Sequence, residues 1–289
     1  MDILAWKAEY RESKYELIKI EIPVGWDTLD AVTTHLPGGA YTTFRTYDHN
    51  KVIRLDDHLG RLEETARLAQ KPVTLEQLRL REALRNVIDE YPGDMDLRIR
   101  MVLDLEVAPG EIYLMVEQLK TPPPDAYHSG VRVITCRLQR DNPKAKLTAS
   151  IPVADKIRGQ LPTGVEEALM VDEAGRILEG LTSNFFAVKG GELWTNEESV
   201  LSGITRLLVL DESVRIELPV NFRSITITDI HNLEEAFITS SSRGILPVSQ
   251  IDRILIGSGK PVFPGQPGPI TKRLMDCLED RIRNELLEI

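Results

Sequence analysis

Residues 177–189 read ILEGLTSNFFAVK, and this stretch carries the main evidence for the predicted fold. Its two apolar ends, 177–178 and 185–188, are typical of short buried strands. Glu179 stands at the end of the first strand. Because a carboxylate in an apolar setting is costly to bury, Glu179 requires a hydrogen-bonding or charged partner.

Further strands are predicted on both sides of this stretch. Apolar, β-like runs occupy 131–136, 167–171, 184–188 and 192–195, and Gly175, Gly190 and Gly191 lie in the turns between them. Helical patterns follow at 204–210 and 270–287. Strands and helices do not alternate regularly, so the predicted class is α+β.

Two short segments have the composition of anion-binding turns. LSGITR (201–206) is a glycine-containing loop that leads directly into a helical pattern, where unpaired amides and the helix dipole favour an anion. TSSSRG (239–244) gathers hydroxyls and amides at the end of a strand-like run. A plain N-cap and a solvated loop explain the same residues equally well.

The first part of the chain predicts two helices and a strand. Apolar residues recur at helical spacing over 55–69 and over 74–91, and Thr74 with Gln77 forms a candidate capping box. Residues 97–105 alternate as in a half-buried strand, with Arg98 and Arg100 on one face.

A run of three prolines in LKTPPPD (119–125) is the clearest domain boundary, since proline fixes φ and lacks an amide donor. The predicted organisation is an N-terminal α+β domain over 1–118, an extended linker over 119–126 and a β-rich C-terminal domain over 127–289. A length of 289 residues suits two such domains.

Composition excludes several classes of function. The net charge of −10 argues against a nucleic-acid partner, and no apolar run is long enough to span a membrane. MDILAWK (1–7) lacks the features of a signal peptide, so a cytoplasmic location is expected. Two isolated cysteines support neither a disulfide framework nor a zinc site, and no metal is expected.

Several motifs, in order and spacing, resemble the signature of the class IV (fold-type IV) aminotransferases, a pyridoxal-phosphate-dependent group that includes branched-chain and D-amino-acid aminotransferases and aminodeoxychorismate lyases. The similar stretches are LDDHLGRL (55–62), EALMVD (167–172), LEG with SNFFAVK (178–189), LSGITR (201–206), EAFITSS (235–241) and GPITKRL (268–274). The resemblance covers nearly the whole chain. It implies a smaller N-terminal lobe, a larger C-terminal lobe, pyridoxal 5′-phosphate in the cleft between them, and a homodimer.

The resemblance also implies roles for individual residues. Lys146, rather than Lys144 or Lys156, would carry the cofactor as a Schiff base, and Glu179 would pair with the pyridine nitrogen. The implied phosphate-binding and neighbouring cofactor residues are Arg61, Gly203, Ile204, Thr205, Ser240 and Ser241, and the implied substrate residues are Tyr41, Thr43 and Arg100. His58 is expected to be structural. From residues alone, Lys146 and Arg61 could equally be surface charges, and Arg100 could form a salt bridge at the rim.

The activity implied is transfer of an amino group between a small amino acid, branched-chain-like, and a 2-oxo acid. Ile151 stands where branched-chain enzymes carry a tyrosine, and 103–109 lack the Arg-x-His pair of the D-amino-acid enzymes. YTTFR (41–45) resembles aminodeoxychorismate lyases, so release of pyruvate and 4-aminobenzoate is the alternative. A non-catalytic ligand-binding protein on the same fold is a second alternative.

Overall fold

The structure is a computed structural model that describes residues 3–257 and 267–289; Met1 and Asp2 of the N-terminal stretch considered above lie outside this range. The chain divides into two compact units. The N-terminal unit runs to Lys120 and also contains Ala145–Asp155 and Asn284–Ile289. The C-terminal unit contains Thr121–Lys144 and Lys156–Arg283. A linear division at 119–126 therefore omits two segments that return to the first unit.

The strands are β1 Leu4–Arg11, β2 Lys14–Ile20, β3 Gly39–Arg45, β4 Lys51–Val52, β5 Leu97–Asp104, β6 Ile112–Gln118, β7 Val131–Arg137, β8 Val165–Val171, β9 Ile177–Gly180, β10 Asn184–Lys189, β11 Glu192–Trp194, β12 Val220–Asn221, β13 Glu235–Ser240, β14 Gly244–Ile251, β15 Ile254–Leu255 and β16 Leu287–Glu288. The α-helices are α1 Leu29–Thr33, α2 Leu55–Leu68, α3 Gln77–Asp89, α4 Pro124–Ser129, α5 Ile151–Arg158, α6 Ile204–Arg215 and α7 Pro269–Glu285. Two 3-10 helices cover Thr148–Ser150 and Ile227–Asn232.

The N-terminal unit contains an antiparallel sheet in the order β2-β1-β6-β5-β3. Leu97, Ile99 and Met101 of β5 pack in one hydrophobic cluster with residues of α2 and α3. Val102, on the opposite face, packs with residues of α1. The prediction that β5 is half-buried is therefore wrong, because α1 covers the face that carries the arginines.

The edge of this sheet is partly covered by the segment around Lys146. Tyr41 N–H donates to the Lys146 carbonyl at 2.9 Å, and Ala40 forms an isolated antiparallel bridge with Leu147. Gly39 N–H donates to Thr148 Oγ1 at 3.0 Å. These contacts attach the lysine-bearing segment to β3.

Two local predictions in this part of the chain are wrong. Helix α3 begins at Gln77 rather than at Thr74, because Glu63 of α2 accepts both the Leu75 N–H (2.8 Å) and the Gln77 side chain (3.0 Å). The predicted extended linker ends in a helix, α4, in which Pro124 occupies the first turn. Proline is tolerated there, since the first amides of a helix have no acceptor within it.

The C-terminal unit is built on a larger sheet in the order β12-β11-β10-β13-β14-β7-β8-β9, with β15 on β14. Strand β9 also pairs with β10, where Asn184 lies opposite Glu179. Six strands, β7 to β10 with β13 and β14, therefore form a closed ring of pairings. The predicted strands and the helices α6 and α7 are confirmed, and Gly175, Gly190 and Gly191 have positive φ in the turns. No helix in the described ranges is long and apolar enough to cross a membrane.

Candidate active site

Glu179 of β9 is a buried carboxylate that has its partners within the C-terminal unit. One oxygen, Oε1, accepts from Arg140 Nη1 at 3.0 Å. The other, Oε2, accepts from Asn184 Nδ2 at 3.0 Å and from the Leu201 N–H at 3.1 Å. Only 2% of Glu179 is exposed. Three donors, one of them a guanidinium, favour the ionised form of this carboxylate.

The loop that donates the Leu201 amide leads into the start of α6. Gly203 is the N-cap residue, and no side chain of the described residues caps the helix. The first turn contains no acidic residue. The amides of Ile204 and Thr205 therefore lie at a helix N-terminus whose dipole favours an anion.

The serine-rich turn follows β13, which packs on α6. Ser240 Oγ accepts from Arg243 Nε at 3.1 Å. Arg243 is held in turn by Glu166 (3.2 Å) and Glu167 (3.1 Å). Thr239 Oγ1 is buried and has no hydrogen-bond partner among the described residues. The two predicted anion motifs thus lie on neighbouring elements of the C-terminal unit, and their binding of an anion stays a prediction.

Lys146 lies in the N-terminal unit and is half-buried. Its backbone is fixed by the Tyr41 amide and by Thr65 Oγ1, which accepts the Lys146 N–H at 3.3 Å. The side-chain Nζ lies 4.6 Å from the centre of the Tyr41 ring. The aromatic face of Tyr41 is therefore one neighbour of the amine.

Arg61 projects from α2, one turn after His58. His58 is buried, and Thr42 Oγ1 lies 2.8 Å from its Nδ1. Burial holds the His58 pKa well below its usual value, and the positive charges of Arg61 and Lys146 lower that pKa further. A neutral imidazole therefore stands near both cations without repelling them.

Arg100 is buried in an ion pair rather than at the rim. Its Nη1 donates to Asp30 Oδ1 at 2.6 Å and to Thr33 Oγ1 at 3.0 Å, and its Nε donates to Thr43 Oγ1 at 3.1 Å. The guanidinium carbon lies 5.2 Å from the centre of the Tyr41 ring. The alternative of a salt bridge at the rim does not hold, because α1 brings Asp30 onto this face of the sheet and the pair is buried, and the role of Arg100 toward a substrate stays a prediction.

Chemically, the C-terminal unit can hold a cationic ring nitrogen at Glu179 and an anionic group at α6. The N-terminal unit, considered by itself, contains the amine of Lys146 and the guanidinium of Arg61. The sequence matches the family described as amino-transferase class IV over residues 39–251, a range that contains all of these residues. The chain belongs to the class IV aminotransferase family.

Named relatives and solved structures are consistent with this family membership. A Methanocaldococcus jannaschii protein, provisionally named a branched-chain-amino-acid aminotransferase, is 31% identical over 84% of this chain and 86% of its own length. The D-alanine aminotransferase of Bacillus licheniformis is 26% identical over 86% of this chain and 88% of its own length. The solved branched-chain aminotransferase of Thermoproteus uzoniensis, with norvaline, has a TM-score of 0.73 and covers 99% of this chain and 98% of its own, at 24% identity.

These comparisons confirm the fold class predicted from the sequence, an α+β aminotransferase of fold type IV. The structure groups the predicted site residues within each unit. Glu179, Gly203, Ile204, Thr205, Ser240 and Ser241 belong to the C-terminal unit, and Tyr41, Thr43, Arg61, Arg100 and Lys146 belong to the N-terminal unit. Their roles toward a cofactor or a substrate stay predictions.

Four contacting residues were not found from the sequence: Asn184, Arg140, Asp30 and Arg243. A signal existed for Asn184, since an amide side chain within an apolar strand requires partners, and Glu179 lies five residues before it. Arg140 and Asp30 have no such signal. They lie in irregular sequence or in a five-residue helix, and only the tertiary fold brings them to Glu179 and Arg100.

Proposed function

We propose that this chain binds pyridoxal 5′-phosphate through Lys146 and transfers an amino group between a small, apolar amino acid and a 2-oxo acid. The observation that carries the proposal is the buried Glu179, held by three donors and hydrogen-bonded to the loop that begins α6. Within a class IV family member, this arrangement suits a ligand with a pyridinium at one end and a phosphate at the other.

The donor set fits such a cofactor at both ends. The start of α6, with the nearby serine turn, supplies amides and hydroxyls for a phosphate, and Arg61 would add a forked cationic donor. Gly203 lets the N-cap of α6 pack closely on the Asn184 side chain, because a Cβ at this position would overlap Asn184 Oδ1. Glu179 supplies the negative charge that a protonated ring nitrogen requires.

When bound, the cofactor supplies an electron sink for the substrate α-carbon. Glu179 would hold the proton on the ring nitrogen of this cofactor. Lys146, as a neutral amine, would act as the base that takes up the proton from the substrate α-carbon on its Nζ. Thr65 and Tyr41 fix the Lys146 backbone, from which this side chain extends.

A substrate side chain without a carboxylate is favoured by the state of Arg100. This arginine is already neutralised by Asp30, so its charge is not available to attract a second carboxylate. Apolar side chains near Tyr41, including Trp26 and Leu36, are only partly buried in the same cluster. The names of relatives include both branched-chain and D-alanine aminotransferases, so either stereochemistry is a candidate.

Release of 4-aminobenzoate from aminodeoxychorismate is the second candidate, based on Thr42 and Thr43. Both hydroxyls have partners, since Thr42 contacts His58 and Thr43 accepts from Arg100. Both residues also belong to β3, where β-branched residues are favoured for structural reasons. Transamination is therefore the preferred activity.

The attachment site is tested by borohydride reduction of the protein loaded with pyridoxal 5′-phosphate. We expect the reduced cofactor on the peptide that contains Lys146, and Lys146→Ala should bind the cofactor without being labelled. Lys144→Ala is the matched control and should be labelled normally. A label on Lys144 or Lys156 would contradict the assignment.

Reaction class is tested by a screen of L- and D-amino acids against pyruvate and 2-oxoglutarate, run beside a 4-aminobenzoate assay. We expect an apolar amino acid to be the best donor. Rapid 4-aminobenzoate formation with negligible transamination would establish the lyase instead.

Glu179→Gln should reduce turnover by orders of magnitude while the cofactor remains bound, because the ring nitrogen loses its counter-charge.

The chain is further proposed to act as a homodimer in the cytoplasm. The family resemblance supports the dimer.

A further inference from the structure

The closed ring of strand pairings in the C-terminal unit includes a pairing between two polar, buried residues, Asn184 and Glu179. Strand β10 pairs with β9 at a single position, where Asn184 lies opposite Glu179. Asn184 is 5% exposed, in a strand whose following four residues are apolar and buried. An amide side chain at this position is costly unless its hydrogen-bonding groups are satisfied.

The Asn184 side chain makes two hydrogen bonds to different elements. Its Nδ2 donates to Glu179 Oε2 at 3.0 Å and to the Leu201 carbonyl at 2.8 Å. Both partners are acceptors, so the amide nitrogen, and not the oxygen, must face them. Both amide hydrogens are thereby used, one on the carboxylate and one on the loop that enters α6.

The same loop returns a hydrogen bond to the carboxylate. Leu201 N–H donates to Glu179 Oε2 at 3.1 Å, so Leu201 is held through both its amide and its carbonyl. The Asn184 Oδ1 faces Gly203, where a Cβ would overlap it. The N-cap of α6 therefore rests directly against the side chain that orients Glu179.

Arg140 has a different effect on Glu179. It brings a positive charge to Oε1 and a second bond to the Leu181 carbonyl at 2.7 Å, so it stabilises the ionised carboxylate. Asn184 is neutral and adds no charge. Its contribution is geometric, because it joins the carboxylate to the start of α6.

From this geometry we infer that Asn184 is a positioning residue that sets the distance between Glu179 and the N-terminus of α6. This distance would let Glu179 reach the ring nitrogen and the start of α6 reach the phosphate of the same ligand. The inference rests on the proposed function, since it assigns Asn184 to the same cofactor. It predicts that Asn184 governs cofactor affinity and the ionisation of the bound ring, in addition to protein stability.

The test compares Asn184→Ala with the control Thr195→Val. Thr195 Oγ1 donates to the Phe185 carbonyl at 2.9 Å, so the control also removes one buried hydrogen bond close to β10, but none to Glu179. Pyridoxal 5′-phosphate is titrated into each apoprotein, the dissociation constant is measured by equilibrium dialysis, and the absorbance of the bound cofactor is followed against pH. Thermal unfolding of each apoprotein gives the change in unfolding temperature that each substitution causes.

For Asn184→Ala we expect the dissociation constant to rise at least about tenfold, as for the loss of one hydrogen bond to a charged group. The pH profile of the bound cofactor should shift, and Thr195→Val should keep the wild-type values for both. If Asn184→Ala lowers the unfolding temperature as Thr195→Val does but keeps the wild-type dissociation constant and pH profile, the residue is only structural and the inference is overturned.

Asn184→Asp is the second variant and keeps the size of the side chain if Asn184→Ala does not fold. Two adjacent carboxylates cannot both ionise easily, so one proton would be shared and the absorbance transition should move relative to wild type. An unchanged transition overturns the inference. Failure of the proposed function itself is recognised separately, since the wild-type apoprotein would then bind no pyridoxal 5′-phosphate in the same dialysis.

Discussion

The buried His58 couples the stability of the N-terminal unit to pH. Burial holds the His58 pKa well below its usual value, whereas in the unfolded chain His58 titrates near about 6.5. Below that pH, His58 binds a proton in the unfolded chain but stays neutral in the folded chain. Stability is therefore lost as the pH falls below about 6.5, by up to about 1.4 kcal/mol per pH unit for this group.

Urea unfolding between pH 5 and pH 8 checks this expectation. His58→Gln should show a shallower loss of unfolding free energy on acidification than the wild type, because its side chain does not titrate. The exposed His231→Gln is the control and should keep the wild-type slope. Equal slopes for wild type and His58→Gln would show that other groups cause the acid sensitivity.

Asp30 and Arg100 form the second residue-scale prediction. Removing one partner of a buried ion pair leaves an uncompensated charge, so Asp30→Ala should lower the unfolding free energy by about 3–5 kcal/mol. Asp30→Ala combined with Arg100→Met should cost less than the two single changes added together. The exposed pair Glu279–Arg283 provides a control, with an expected cost of at most about 1 kcal/mol. Strict additivity would contradict the pairing.

Among individual residues, those that belong to a recognisable motif could be predicted from the sequence. It predicted a partner for Glu179 but could not name one, because Arg140 lies 39 residues away in irregular sequence. It placed Arg100 on a strand face but could not foresee Asp30. Both gaps have one physical cause: long-range ion pairs are determined by tertiary packing and leave no local periodicity.

Among the elements, helix α7 depends on a carboxylate from a strand. Glu235 of β13 accepts the amides of Ile270 (3.0 Å) and Thr271 (2.6 Å), so it caps the first turn from outside the helix. Glu235→Ala would leave the buried Thr271 amide and the partly buried Ile270 amide without this acceptor and should cost about 1–3 kcal/mol of unfolding free energy. Glu279→Ala on the exposed face of α7 should change it by less than about 0.5 kcal/mol. Comparable costs for the two variants would exclude the capping role.

Glu235 and Glu63 also show why element boundaries were harder to predict than element types. The apolar periods of α2, α3 and β5 were visible in the sequence, and these elements exist. The start of α3 was misplaced because Glu63 of α2, and not Thr74, accepts the Leu75 amide. The second face of β5 was misjudged because its cover, α1, has only five residues.

For the whole molecule, we expect a homodimer, on the basis of the family resemblance. Light scattering after size exclusion should give twice the chain mass of 32.6 kDa. The unfolding midpoint should rise with protein concentration, since association stabilises the folded state by mass action. A mass of 32.6 kDa with a midpoint independent of concentration would contradict the dimer.

The attachment of the Lys146 segment to β3 has a consequence for synthesis on the ribosome. Strand β3 is an edge of its sheet, and an uncovered edge is a template on which another chain can add a strand and aggregate. Residues 146–148 cover part of that edge, but they are translated about a hundred residues after β3. Until they emerge, the nascent N-terminal unit presents an open edge. The segment that carries the proposed catalytic lysine therefore also shields the β3 edge of the newly formed sheet from association with another chain.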